Sequence, residues 1–75
     1  MTLRFLDVSG LVPAADSWEA VYFVFYALGR IGTVERQTET GYYRFLPDDP
    51  VAGNVSLGDF DVEVLKRRIH EYLLS

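Results

Sequence analysis

The sequence predicts an α+β domain of order β-α-β-β-α, with a small three-stranded sheet and two helices packed on one face. Three observations carry this expectation. An apolar run bounded by Ser9-Gly10 opens the chain as a strand. Two later segments carry helix start and stop signals. Between them lie two short alternating runs separated by Thr38-Glu39-Thr40-Gly41, the pattern of a hairpin.

The first strand is expected over residues 2–8. Leu3 and Phe5 share one parity, Leu6 and Val8 the other, so both faces are apolar and the strand is expected inside the sheet or covered on both sides. Pro13 falls in the following loop. Asp16 or Ser17 then offers a side-chain oxygen to the unpaired amides of a first helical turn. Glu19 near that start and Arg30 near the end suit the helix dipole, and Gly32 can close the helix in a left-handed conformation. The first helix is therefore expected over residues 17–31. The run Val21-Tyr22-Phe23-Val24-Phe25-Tyr26 competes with this reading, because β-branched and aromatic residues favour strands.

Strands follow over residues 33–37 and 42–46, with Gly41 at a positive-φ position of the connecting loop. Pro47 stops the second of them, and residues 48–58 read as a loop. The C-terminal helix has Asp59 as its expected N-cap, with Asp61 and Glu63 early and Lys66, Arg67 and Arg68 later. Val62, Leu65, Ile69, Tyr72 and Leu73 form its apolar stripe, and Glu63 stands four residues before Arg67.

Length and composition bound what the chain can do. Its 75 residues make a single domain, residues 1–75, with no cysteine for disulfides or thiolate metal sites. A chain this short buries only about 60% of the surface its unfolded form exposes. Yet 49% of its residues are apolar and 15% aromatic, so part of that apolar surface has to lie outside the core. Seven basic residues stand against eleven acidic ones, a net charge of −4 that disfavours nucleic acid and anionic membranes as partners. The segment has neither a signal-peptide pattern nor an apolar stretch long enough to span a bilayer, which fits a cytoplasmic protein with no membrane partner.

Each candidate site has a plainer reading beside it. His70, the one histidine, falls on the polar side of its helix, away from Leu65, Ile69 and Tyr72, and reads as solvated rather than as a general base. Asp48, Asp49, Asp59 and Asp61 lack the spacing of a calcium loop and read as a turn and a helix cap. Gly29-Arg30-Ile31-Gly32 follows a helix, not a strand, and so lacks the setting of a dinucleotide-binding turn. Lys66-Arg67-Arg68 reads as an exposed helix face. No nucleophile–base pair or metal-ligand spacing can be assembled, so no enzymatic activity, cofactor or metal is expected.

The aromatic residues point instead to a protein partner. Trp18, Tyr22, Phe23, Tyr26 and Tyr42 are the candidate interface residues. The first helix is apolar nearly all round, and Tyr42 and Tyr43 on one strand must face opposite ways, with Tyr43 the better match for the core beside Phe45. The expectation is a small acidic binding or accessory protein that works as a homodimer or in a hetero-complex. One concrete form is an inhibitor that occupies a basic, nucleic-acid-binding site on another protein. The alternative is a nucleic-acid-binding protein, because a helix followed by a hairpin resembles the winged-helix order, although that helix carries few residues suited to reading bases.

Overall fold

The run of β-branched and aromatic residues from 18 to 26 dictates the architecture: it is a strand, and it pairs on both sides. In a computed structural model, which describes residues 3–27, 29–48 and 57–74, the elements are β1 (Leu3–Asp7), β2 (Trp18–Tyr26), β3 (Gly29–Gln37), β4 (Tyr43–Pro47), β5 (Leu57–Asp59) and α1 (Val62–Leu74). The strands form one antiparallel five-stranded sheet in the order β1-β2-β3-β4-β5, each paired with its chain neighbour. Helix α1 packs on one face of it.

This corrects the expected β-α-β-β-α order, three-stranded sheet and pair of helices. Among the described residues of 17–31 there is no helix; they form β2 and the start of β3, which pair as a hairpin. The capping signal has a different use. Asp16 and Ser17 both take positive φ, 53° and 67°, between Ala15 and Trp18, which exchange backbone hydrogen bonds of 2.9 Å in each direction. That is the tight reversal Asp and Ser also favour, because their short polar side chains tolerate the left-handed region. Arg30 and Gly32 lie within β3, and Leu28, expected on the helix stripe, lies outside the described residues.

Two register shifts interrupt the period of two in this hairpin. Ala20 pairs with Glu35 and Tyr22 with Val34, which leaves Val21 as an extra residue on β2; Val24 pairs with Gly32 and Phe25 with Arg30, which leaves Ile31 extra on β3. A bulge turns two consecutive side chains toward one side. Val21 and Tyr22 accordingly both pack on the core, followed by Val24. Two adjacent core-facing residues interrupt the alternation by which a strand is recognised.

Val21, Val24, Val34 and Phe45 on the sheet and Leu65 and Ile69 on α1 make the buried cluster. Leu65, Ile69, Val24 and Val34 are fully buried, and Val62 and Leu73 of the expected stripe pack beside them. Burying a side chain of this kind is worth roughly 1.5–3 kcal/mol. The helix begins later than expected. Its cap is Asp61, whose Oδ1 accepts from the Glu63 amide at 2.9 Å, while Asp59 Oδ1 accepts from the Asp61 amide, also at 2.9 Å. Glu63 pairs with Lys66 at 3.3 Å, one residue short of the expected partner Arg67.

The expected position of β1 also changes. It is an outer strand, and Leu6 on it is 53% exposed instead of covered. The loop expected over residues 48–58 falls mostly on residues 49–56, outside the described residues. The hairpin of β3 and β4 matches its sequence signals: Gly41 takes φ 77°, its amide donates to Gln37 O at 2.9 Å, and the Gln37 amide donates to Tyr42 O at 2.8 Å. With the first helix gone, the helix-and-wing order behind the nucleic-acid alternative is not present in this fold.

Candidate protein-interaction face

Residues opposite one another on neighbouring antiparallel strands point to the same face. The pairing therefore writes the sheet out in rows. Phe5 and Val24 stand in one row on the helix side; Asp7, Tyr22, Val34, Phe45 and Leu57 stand in another. The rows between them point away from the helix. One is Leu6, Phe23, Thr33 and Leu46; on either side lie Arg4, Phe25 and Arg30, and Ala20, Glu35, Arg44 and Gly58. No helix covers this second face among the described residues.

The uncovered face is a mosaic of aromatic rings and guanidinium groups. Arg44 lies over the Trp18 ring at 3.7 Å from its centroid, Arg30 over Phe23 at 4.9 Å and Arg4 over Phe25 at 5.6 Å. A guanidinium on a ring face is attracted by the ring quadrupole and keeps its own donors at the rim. Two of the three are further anchored. Arg44 Nε and Nη2 both donate to Glu35 Oε1, at 2.9 and 2.8 Å, and Arg30 Nε donates to Asp48 Oδ2 at 2.8 Å. Each arginine lies over a ring that would otherwise face water more fully.

Apolar surface remains between these stacks. Leu6 is 53% exposed and Leu46 39%, at the two ends of the central row. At the β5 margin Phe60 is 67% exposed and meets Tyr42 edge to face, with centroids 5.0 Å apart. The Tyr42 hydroxyl occupies the space where a side chain at position 58 would begin, so this aromatic pair depends on Gly58 having none.

The expected interface residues divide between the two faces. Trp18 and Phe23 belong to the uncovered face by register and by their arginine contacts, and Tyr42 lies at its margin. Tyr22 packs against the core on the helix side, where it meets Phe5 edge to face at 6.2 Å, and Tyr26 pairs with Leu3 on that same side. Tyr43 packs on the core, opposite in direction to Tyr42. Sequence reasoning missed Leu6, Phe25, Leu46 and Phe60. Strand alternation through Phe23 and Phe25 would have found Phe25, once β2 was taken as a strand. The bulge at Val21 hid that periodicity.

The other candidates separate as well. Lys66 turns onto the sheet, with Nζ 4.4 Å from the Tyr22 centroid and 5.2 Å from that of Phe5, whereas Arg68 reaches back to Asp59 at 3.6 Å. The basic triplet is thus no shared patch. His70 is exposed on α1. Asp48 is engaged by Arg30, Asp49 lies outside the described residues, and no group of acidic or histidine side chains among the described residues could hold a metal ion. The carboxyl of Asp7 is held below the usual carboxylate range, first by the Ser9 hydroxyl at 2.6 Å and then by the Ser9 amide at 2.9 Å. An open cleft of about 280 Å³ lies between α1 and the sheet, lined by Ile31, Phe45, Pro47, Tyr72 and Leu73 with Arg30 and Asp48 at its rim.

No helix among the described residues is long and apolar enough to cross a membrane. Comparison of the chain with protein-family models, with curated proteins and with solved structures finds no significant match.

Proposed function

We propose that this chain is a protein-binding module, acting as a homodimer or within a hetero-complex, whose contact surface is the uncovered face of the sheet. The observation that carries this reading is the row Leu6, Phe23, Thr33 and Leu46, flanked by the arginine-covered rings of Trp18 and Phe25. Aromatic residues and arginine are the types enriched in protein interfaces, and arginine stacked on a ring is already ordered before a partner arrives. Lysine, which interfaces disfavour, does not occur on this face. The inhibitor form of the reading, in which acidic groups imitate nucleic acid, draws no support from this surface. Its charged groups are chiefly arginines, and two of its carboxylates are already paired with them.

The test compares the native chain with a variant carrying Leu6→Ser, Leu46→Ser and Phe60→Ser, three exposed positions. Sedimentation across a wide concentration range reads self-association, and cross-linking in an extract of the source cells reads hetero-complexes. The variant should melt close to the native temperature, since exposed positions usually shift stability by no more than about 0.5 kcal/mol each. It should also lose the complex that the native chain forms. Identical complexes from both proteins would overturn the reading.

A further inference from the structure

The two edges of the sheet are finished differently. At β5 the strand is only Leu57–Asp59, and Arg68 of α1 closes it by donating from Nη1 to Gly58 O at 3.5 Å and pairing with Asp59 at 3.6 Å. Short length and a covering side chain are ordinary ways of blunting an edge. At β1 neither device is used. The strand Leu3–Asp7 has no proline and no bulge, and among the described residues nothing bonds to its outer side.

The parity of that outer side is fixed. The Val8 amide donates to Val21 O at 3.0 Å and so points inward, while the Val8 carbonyl accepts from the Leu11 amide. In an antiparallel pair the inward and outward positions alternate. Leu6 and Arg4 therefore also bond inward to β2, and Leu3, Phe5 and Asp7 turn their amides and carbonyls to the free edge. Beside this edge, Arg4, Phe5, Leu6 and Phe25 line an open groove of about 510 Å³.

The charge beside the edge differs from that of the chain as a whole. The net charge of the protein is −4. Arg4, however, has no carboxylate partner among the described residues and makes its contact with the Phe25 ring. On the helix side Lys66 covers Phe5, and Asp7, the one acid of the strand, is tied to Ser9. On the side of Arg4 and Leu6 the charge at this edge is therefore positive, while the opposite side offers Leu3 and Phe5 and carries the Asp7 carboxylate together with Lys66.

We propose that the bare β1 edge is a strand-addition site for an extended segment of a partner protein that carries carboxylates on alternate residues. Main-chain bonds to Leu3, Phe5 and Asp7 supply the register, and alternation sends acidic side chains toward Arg4 and apolar ones toward Phe5. A second copy of β1 is the poorer occupant. Symmetric antiparallel pairing about Phe5 sets Arg4 of each copy against Leu6 of the other, with no carboxylate opposite either arginine. The site adjoins the uncovered face but uses main-chain groups of the edge, so it stands or falls apart from the reading proposed for that face.

The probe is an acetylated heptapeptide of alternating valine and glutamate, with the valine–lysine peptide as control. Binding is read by fluorescence polarisation and by amide hydrogen exchange of the full chain. The expected result is binding of the glutamate peptide that falls at least about tenfold with the lysine peptide, and likewise with Arg4→Glu. Exchange at the Phe5 and Asp7 amides should slow on binding, while the Val8 amide, already bonded to Val21, stays as it was. Four results would overturn the proposal. They are no binding up to about 1 mM, equal binding of both peptides, binding that leaves the Phe5 amide unprotected, and a Phe5 amide protected by raised protein concentration alone, which would put a second copy on the edge.

Discussion

Arg44 and Trp18 are locked together: the guanidinium lies 3.7 Å from the indole centroid, while its Nε and Nη2 share Glu35 Oε1 at 2.9 and 2.8 Å. Lysine can supply the charge but neither the fork nor the planar stack. Arg44→Lys should therefore lower stability by about 1 kcal/mol, the scale of one partly exposed cation–π contact with its hydrogen bonds. Trp18 is the one tryptophan, so the fluorescence of the folded state should change with the substitution. A native emission spectrum and melting temperature would show that the stack does not form.

Within α1 the adjacent residues 69 and 70 differ sharply in burial. Ile69 is fully buried and His70 exposed. Ile69→Ala should cost about 2–5 kcal/mol, and His70→Ala less than about 0.5 kcal/mol. Urea denaturation of the two variants separates these outcomes, and comparable midpoints would mean that the helix packs by another face.

The hairpin loop offers a backbone test. Gly41 holds φ 77°, a conformation that β-branched residues avoid. Gly41→Val should destabilise by at least about 1 kcal/mol. Next to it, Tyr43→Ala should lower stability because Tyr43 packs on the core, whereas Tyr42→Ala should act mainly on binding, since Tyr42 contacts Phe60 at the margin of the uncovered face. Equal thermal losses for the two tyrosine variants, with binding unchanged, would remove Tyr42 from the interface.

Asp7 supplies a pH dependence with a definite sign. Its folded-state carboxyl is more acidic than in the unfolded chain, because the Ser9 hydroxyl and amide bond the charged form, with a smaller contribution from Lys66. A depressed carboxylate stabilises the fold above its unfolded pKa, and that contribution fades as pH falls through the folded value. Asp7→Asn should therefore be less stable than the native chain at neutral pH, by a small margin at this exposed site. The difference should close in acid, below the usual carboxylate range. A constant difference across that range would place the stabilisation in something other than the charge.

The sequence made some of these features legible and concealed others, for reasons visible at particular residues. The C-terminal stripe through Leu65 and Ile69 was readable because a helix keeps one period over its length. The hairpin was readable because Gly41 and the alternation of Tyr43 and Phe45 agree. Residues 17–31 were misread because two local signals each have two physical uses. Asp16 and Ser17 suit a helix cap and a left-handed turn equally well. The bulge at Val21 broke the period of two where it was most needed. The uncovered face inherited that error: a strand apolar on both sides looked like a helix apolar all round. The inference of apolar surface in excess of the core survived the change of element, and it now refers to Leu6, Phe23, Phe25, Leu46 and Phe60.

Because every strand pairs with its neighbour in the chain, the sheet can zip in the order of synthesis. Such local pairing shortens the search that folding requires. The helix, however, follows all five strands. Until α1 docks, a chain that has formed the sheet leaves Val24, Val34 and Phe45 exposed on one side while the aromatic mosaic faces water on the other. In that state both sides of the sheet can stick to other chains, and the arginines lying across Trp18, Phe23 and Phe25 shield only one of them.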